Sequence, residues 1–310
     1  MAVDRAEDGD EFRRGPDRGA DAGPLSTDSA GDTDTAVLAD PERRVIAHRM
    51  YRALVDRAYG ITRDAWAEAL PGLRATWEKH VAKYPEQEQS TPRTQPDGSW
   101  AADGGRKLGP DQNAEATKAC ADIRKEGKDS IRPAMDRIEA ADPNRRLAGL
   151  DHMLKGEDRL KEKIAERLRY NPEWTPKQAL AEVPDAVRFT LAYSESGYTH
   201  GVRGDVERLK AEGFELIKLK NLWTKEQYKG INSQWRTPES GARFEVQFHT
   251  QTSFEAKELT HKAYERLRNP ETGKDEEVQL EDYQRRVNAQ VPLPPDVFEI
   301  EDHPLERRDG

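Results

Sequence analysis

The amino-acid sequence predicts an α+β protein, with a mixed β-sheet and packed helices in its C-terminal half, preceded by a helical region. Two observations lead there. From Pro184 to Arg268, the stretches "AVRFTLAY", "FELIKLKNLW" and "ARFEVQFHT" alternate apolar and polar residues, and helix-spaced "THGVRGDVERLKAEG" and "SFEAKELTHKAYERLR" separate or follow them. Side chains along a strand point to opposite faces with period two, whereas helical faces repeat every three to four residues. The order strand, helix, strand, loop, strand, helix fits helices packed on a sheet.

The elements follow in chain order. Residues 1–40, rich in Asp, Gly, Ala and Ser without hydrophobic periodicity, read as a disordered acidic tail. "PERRVIAHRMYRALVDRAYG" places Val45, Met50, Leu54 and Val55 near one helical face and stops at Gly60. "TRDAWAEALPGLRATWEKHVAKY" predicts a second helix, kinked near Pro71. "PEQEQSTPRTQPDGSWAADGGRKLGPDQ" reads as a long polar connection. Helical spacing resumes from Asn113 to Ala141, and another helix is expected from Arg145 to Arg169. The predicted domains are therefore the 1–40 tail, a 41–145 helical region, a 146–270 domain holding the sheet, and a charged, Pro-containing 271–310 tail lying over the surface.

Composition narrows the function classes. A net charge of -9 gives no general attraction to nucleic acid or anionic membrane. No long apolar run predicts a membrane span, and no apolar leader core is present. The expected compartment is the cytoplasm, with a secreted effector as the alternative. A single cysteine, Cys120, excludes an internal disulfide and a multi-cysteine metal site. No G-x-x-x-x-G-K-[ST] loop or H-E-x-x-H helix occurs.

The chemistry-bearing residues are carboxylates and cations. Asp185 opens one predicted strand and Glu245 stands near the start of another. If those strands are neighbours, the pair can share one Mg²⁺, which takes one or two carboxylates plus phosphate oxygens. Lys155, Arg159 and Lys163 recur at four-residue spacing, which on a helix gives one basic face suited to a triphosphate. Lys218, Lys220 and Lys229 surround the loop "KNLWTKEQYKG". Interleaved Glu157, Asp158, Glu162 and Glu166 equally fit a solvated, ion-paired helix.

Four stretches, in order, resemble the synthetase domain of the RelA/SpoT family, the pyrophosphokinases that make (p)ppGpp. "LKGEDRLKEKI" resembles its ATP-contacting segment, "DAVRFTL" its D-x-x-G-x-R-[IV] strand, and "KNLWTKEQYKGINSQW" its acceptor loop ending in G-Y-x-S-L-H. "FEVQFHT" with "ELTHKAY" resembles V-E-I-Q-I-R-T and its following E-H-x-L helix. The resemblance covers roughly residues 150–268 and implies a synthetase-like, nucleotidyltransferase-like fold.

It also implies roles. Asp185, with Glu245, would hold Mg²⁺, and Glu245 would accept the 3′-OH proton with Gln247 orienting it. Lys155, Arg159 and Lys163 would bind ATP, the donor. Lys218, Lys220 and Lys229, with Trp223, Tyr228 or Trp235 as a base platform, would bind the acceptor, a guanosine or adenosine nucleotide. His249 reads as a rim residue, and His261 as a site or packing residue on its helix. The sequence departs from the family's pattern at several positions. Ile231 replaces the guanine-stacking tyrosine, and Trp235 the loop histidine. Asn221 replaces an acidic residue and His249 the strand arginine. Arg188 and Thr190 replace Gly and Arg, and Met153 the arginine that begins the ATP segment. The implied activity is transfer of pyrophosphate from ATP to a ribose 3′-OH. The alternatives are toxin-like modification of tRNA 3′ ends and a degenerate nucleotide-binding protein. No His-Asp dipeptide occurs, which argues against alarmone hydrolysis.

Overall fold

The computed structural model describes residues 62–85, 93–269 and 271–304. The acidic tail and the first predicted helix lie outside them. Helix α1 (Arg63–Lys83) is capped by Thr62, whose hydroxyl accepts the Ala65 N–H, and contains Pro71. The expected linker instead folds in part as a small antiparallel sheet, β1 (Arg93–Thr94), β2 (Trp100–Ala102) and β3 (Arg106–Leu108). Its turns use Gly98 and Gly104 at positive φ, and Trp100 is buried with its indole N–H on Asp158. Buried Trp100 is what makes this Pro/Gly-rich stretch a structural element.

Helices α2 (Pro110–Glu126) and α3 (Arg132–Ala140) follow, joined by a π-helical turn over Gly127–Ile131. A Cβ on Gly127 would stand 3.0 Å from Leu154 and Val187, so the glycine lets this turn close on the start of the main sheet. The predicted helix from Arg145 is corrected at its start. Arg145–Ala148 form strand β4, and the helix proper, α4, is Glu157–Tyr170. Arg145 and Leu147 are buried, which matches a strand's period of two.

The short α5 (Pro176–Ala181) precedes β5 (Arg188–Tyr193), α6 (Tyr198–Ala211), β6 (Glu215–Asn221), β7 (Ile231–Arg236), β8 (Arg243–Thr250) and α7 (Gln251–Leu267). The main sheet has the order β4-β5-β8-β7-β6, with β5 and β8 parallel and the other pairs antiparallel. Strand β7 occupies what the sequence predicted as loop.

One face of this sheet is apolar. It carries Phe189, Leu191, Phe244, Val246, Phe248, Ile231 and Trp235, all buried, and Tyr198 of α6 hydrogen-bonds the Phe248 carbonyl there. Burying a large apolar side chain contributes about 1.5–3 kcal/mol, so this face supplies much of the driving force.

The expected surface tail after 270 is also corrected. Lys274–Asn288 form α8, packed on α7 and α1, with Leu280, Tyr283 and Val287 buried. Val291, Leu293, Val297 and Ile300 are buried beyond it. The chain then runs beside β6, where Leu219 and His303 exchange backbone hydrogen bonds of 2.9 Å each way. No described helix is long and apolar enough to cross a membrane.

Candidate active site

The opposite face of the sheet is polar, and its register sorts it into rows. Arg188 pairs with Glu245, Glu245 with Gln234 and Gln234 with Lys218, one row across four strands. Two residues further along, Thr190, Gln247, Asn232 and Lys220 make a second row. Directly opposite residues project to the same side, so these rows form one polar floor.

Asp185 reaches the floor's edge from a single 3₁₀ turn (Pro184–Ala186) before β5. Beside it, Leu154 bridges to Val187, and the Lys155 N–H donates to the Ala186 carbonyl at 3.1 Å. Lys155 therefore sits on an extended segment before α4, not on the helix. Its amine lies 2.5 Å from Asp185 Oδ2, while Lys163 from α4 lies 3.0 Å from Oδ1. Arg188 stands between the two acids, its Nη2 3.5 Å from Asp185 Oδ2 and 3.2 Å from Glu245 Oε2. The Gln247 amide donates to the other oxygen of Glu245.

These contacts set the electrostatics. Burial alone would raise the Asp185 carboxyl, but Lys163, Lys155 and Arg188 together hold it well below the usual range. Burial lowers the Lys155 amine; its Asp185 partner works the other way and Lys163 adds to the lowering.

Asp185, Glu245, Gln247, Lys155 and Lys163 converge. Arg159 does not: although it shares α4 with Lys163, its side chain is 62% exposed and pairs with Glu162. Lys218 and Lys220 lie in the two polar rows. The Lys229 amine donates to the Trp223 carbonyl at 2.8 Å, and burial pushes its pKa down to about 8.

The base platforms are displaced. Trp235 is fully buried opposite Phe244 on the apolar face, its N–H on the Ser233 hydroxyl, and Ile231 shares that face. Period two dictates this, since Asn232 and Gln234 take the polar side. Tyr228 is also buried, with its hydroxyl on Asn232 and 2.8 Å from His249 Nε2. His249 is no rim residue: it is completely buried, with Nδ1 2.9 Å from the Ser253 hydroxyl and the Tyr228 contact on its other nitrogen. A Cβ on Gly230 would come within 2.8 Å of this ring, so glycine makes room for it. Burial holds the His249 imidazole well below its ordinary pKa, and Lys257 reinforces this. His261 is exposed on α7 and 3.7 Å from Glu265. Cys120 is buried and its thiol is pushed up to about 12 by burial, which suits packing rather than nucleophilic chemistry.

The expected magnesium site can be tested against this arrangement. Arg188 stands between the acids and three of their four oxygens meet cationic or amide donors, but Asp185 Oδ1, 3.0 Å from the Lys163 amine, is buried without a hydrogen-bond partner. Two negative charges already meet three positive ones. Among the described residues no group of three or more His, Cys, Asp or Glu is placed to hold a metal ion. Asp185, through Oδ1, and Glu245 are the residues that would hold a divalent ion, which takes one or two carboxylates with phosphate oxygens completing its shell. The sequence missed two cations. Arg188 stands where the resembled family has glycine, and Lys257, on α7, has the ordinary look of a helix-surface lysine.

No protein-family model matches the chain, and no curated protein matches it. Solved structures similar to it include small alarmone synthetase 2 from Bacillus subtilis, at 16% identity over 57% of this chain and 90% of that one, TM-score 0.39. Small alarmone synthetase 1 from the same organism, bound to its product pppGpp, is 14% identical over 57% of this chain and 91% of that one, TM-score 0.39. A GTP pyrophosphokinase family protein from Streptococcus pneumoniae is 12% identical over 56% and 84%, TM-score 0.36. At such identities, residue roles in this chain rest on its own geometry.

Proposed function

We propose that this chain is an ATP-dependent nucleotide 3′-pyrophosphokinase. The observation that carries this reading is the meeting of Asp185 and Glu245, from separate parts of the sequence, amid Lys155, Lys163 and Arg188 at one edge of a polar sheet floor. Transfer of a phosphoryl-type group needs alignment and neutralisation of charge more than covalent chemistry. Lys155 and Lys163 neutralise the ATP polyphosphate, and Arg188 offers a planar fork for a phosphate. The acceptor ribose 3′-oxygen attacks the β-phosphorus of ATP and its proton passes to Glu245. The bond from the β-phosphorus to the α,β-bridging oxygen breaks, and AMP leaves with that electron pair. Magnesium enters as the counter-ion of the ATP substrate. The acceptor is a guanosine or adenosine nucleotide held along the Lys218 and Lys220 rows. With Ile231 and Trp235 turned into the core, base recognition comes from polar contacts along Asn232 and Gln234.

A second reading, a nucleotide-binding protein without turnover, draws on one observation: Arg188 ties both carboxylates together. Incubation with β-labelled ATP, MgCl₂ and, separately, GDP, GTP, ADP, ATP or deacylated tRNA separates the two. The enzyme reading expects AMP release matched by a labelled nucleotide. It also expects Glu245→Gln to slow transfer by about 10²–10⁴-fold, the usual worth of a general base, with ATP still bound. Label on tRNA alone would move the acceptor class to RNA. ATP binding with no labelled acceptor would leave the second reading standing.

A further inference from the structure

Between β5 and α7, on the polar side of the sheet, lies a cavity of about 200 Å³. Arg188, Lys257, Lys262, His152 and His261 line it, with Glu258 as its carboxylate. Its charge is therefore one-sidedly basic, although the whole chain is acidic. Lys257 is the informative member. Its side chain is only 17% exposed, its amine lies 5.2 Å from the centre of the Phe254 ring, and its carboxylate contact, Glu258, is a loose 3.6 Å. Burial lowers its pKa and Arg188 adds to the lowering, while Glu258 and Glu245 work the other way. Two cations that disfavour each other, one of them mostly removed from water, face the same small cavity. Arg188 already pairs with Asp185 and Glu245, so an anion in the cavity would chiefly offset Lys257, and phosphate suits a lysine point charge beside an arginine fork. Pockets for whole drug-sized ligands run to about 300–1,000 Å³, so this volume suits phosphoryl groups rather than a complete nucleotide.

We propose that this cavity is a second phosphate subsite, in which Lys257, Arg188 and Lys262 hold the 5′-phosphates of the acceptor nucleotide. Naming the acceptor rests on the pyrophosphokinase reading; the anion site itself does not. It lies on the α7 side of Glu245, whereas Lys163 approaches from α4 and Lys155 from the extended segment before it. Donor and acceptor phosphates would thus flank the carboxylate expected to take the proton.

Calorimetric titration of the full chain with inorganic pyrophosphate, alone and with a non-hydrolysable ATP analogue present, tests this. Pyrophosphate binding should persist beside the analogue. Lys257→Met should weaken it by about tenfold or more, as expected for loss of a charge-assisted hydrogen bond. Lys257→Arg should stay close to wild type, and Lys163→Ala should leave this binding in place. Circular dichroism checks that each variant is folded. Complete displacement of pyrophosphate by the analogue, or wild-type affinity in a folded Lys257→Met protein, would overturn the subsite. Pyrophosphate bound through Lys257 in a protein that labels no acceptor would retain the subsite and remove the kinase reading. Transfer with an acceptor KM untouched by Lys257→Met would do the reverse.

Discussion

The face of the main sheet that carries Arg188, Glu245, Gln234 and Lys218 is made by the same strands as its reverse, which carries Phe189, Val246, Phe248 and Trp235. Alternate residues of one strand thus serve opposite ends. On the apolar face each residue is held by close packing with its neighbours, so its identity is set by volume. On the polar face the acids, amides and cations are held by one another, so their positions depend on charge balance. Of the aromatic residues near the expected acceptor loop, Trp235 went to the first face while Tyr228 packs against Asn232 and His249 of the second, where the charged residues also lie. A residue near a site in sequence is available to it only if the strand's alternation aims it there.

The largest test of that contrast is Trp235→Ala. A buried aromatic cut to alanine typically costs about 3–5 kcal/mol. Denaturant unfolding should show such a loss, and any activity of the remaining folded protein should keep its acceptor KM. An acceptor KM raised tenfold or so with little loss of stability would place Trp235 in the site after all.

Asp185→Asn tests the other face, and here pH supplies the sign. The folded-state pKa of Asp185 is depressed, so its ion pairs stabilise the fold above the unfolded carboxyl value of about 3.9 and lose that effect as pH falls towards the folded value. At pH 7 the variant should be less stable by about 2 kcal/mol. That is below the roughly 3–5 kcal/mol for breaking a fully buried pair, because Lys155, Lys163 and Arg188 keep about a quarter of their surface exposed. The gap between the two proteins should narrow as pH is lowered beneath about 3.9. A gap of equal size at acid pH would mean that packing, not charge, holds Asp185.

The smallest effect concerns Lys229. Its folded pKa, lowered to about 8, means that the unfolded chain binds more protons between that value and the ordinary lysine range. Stability should therefore rise as pH passes through 8, by on the order of 1 kcal/mol between pH 7 and 9, and Lys229→Met should flatten that slope. An unchanged slope in the variant would assign the titration to another group.

The carboxylates were legible in the sequence because each sits at the start of an unmistakably alternating, aromatic-rich run. Strand β7 was not, since "INSQWR" hides its period: Ser233 is small and polar yet buried, with its hydroxyl on the Val246 carbonyl. Strand β4 read as helix because Arg145 looks like surface. In the fold its guanidinium is buried on the Ile138 carbonyl and Asp205. Arg159 looked equivalent to Lys163 because the two stand four residues apart on one helix, yet in the fold its guanidinium turns to Glu162 while Lys163 reaches Asp185. Lys257 has no mark in sequence at all; its meaning comes from facing Arg188 across a cavity that only the folded chain creates.

The pairing of Leu219 with His303 has a consequence for solubility. Strand β6 ends the sheet, and an uncovered end strand offers its amides and carbonyls to any other extended chain. The C-terminal segment takes up part of that ladder, and Asp302 and the carbonyls of Val297 and Ile300 engage Asn221 beside it. Residues that read as a loose charged tail thus act as a built-in guard against strand-to-strand association between molecules.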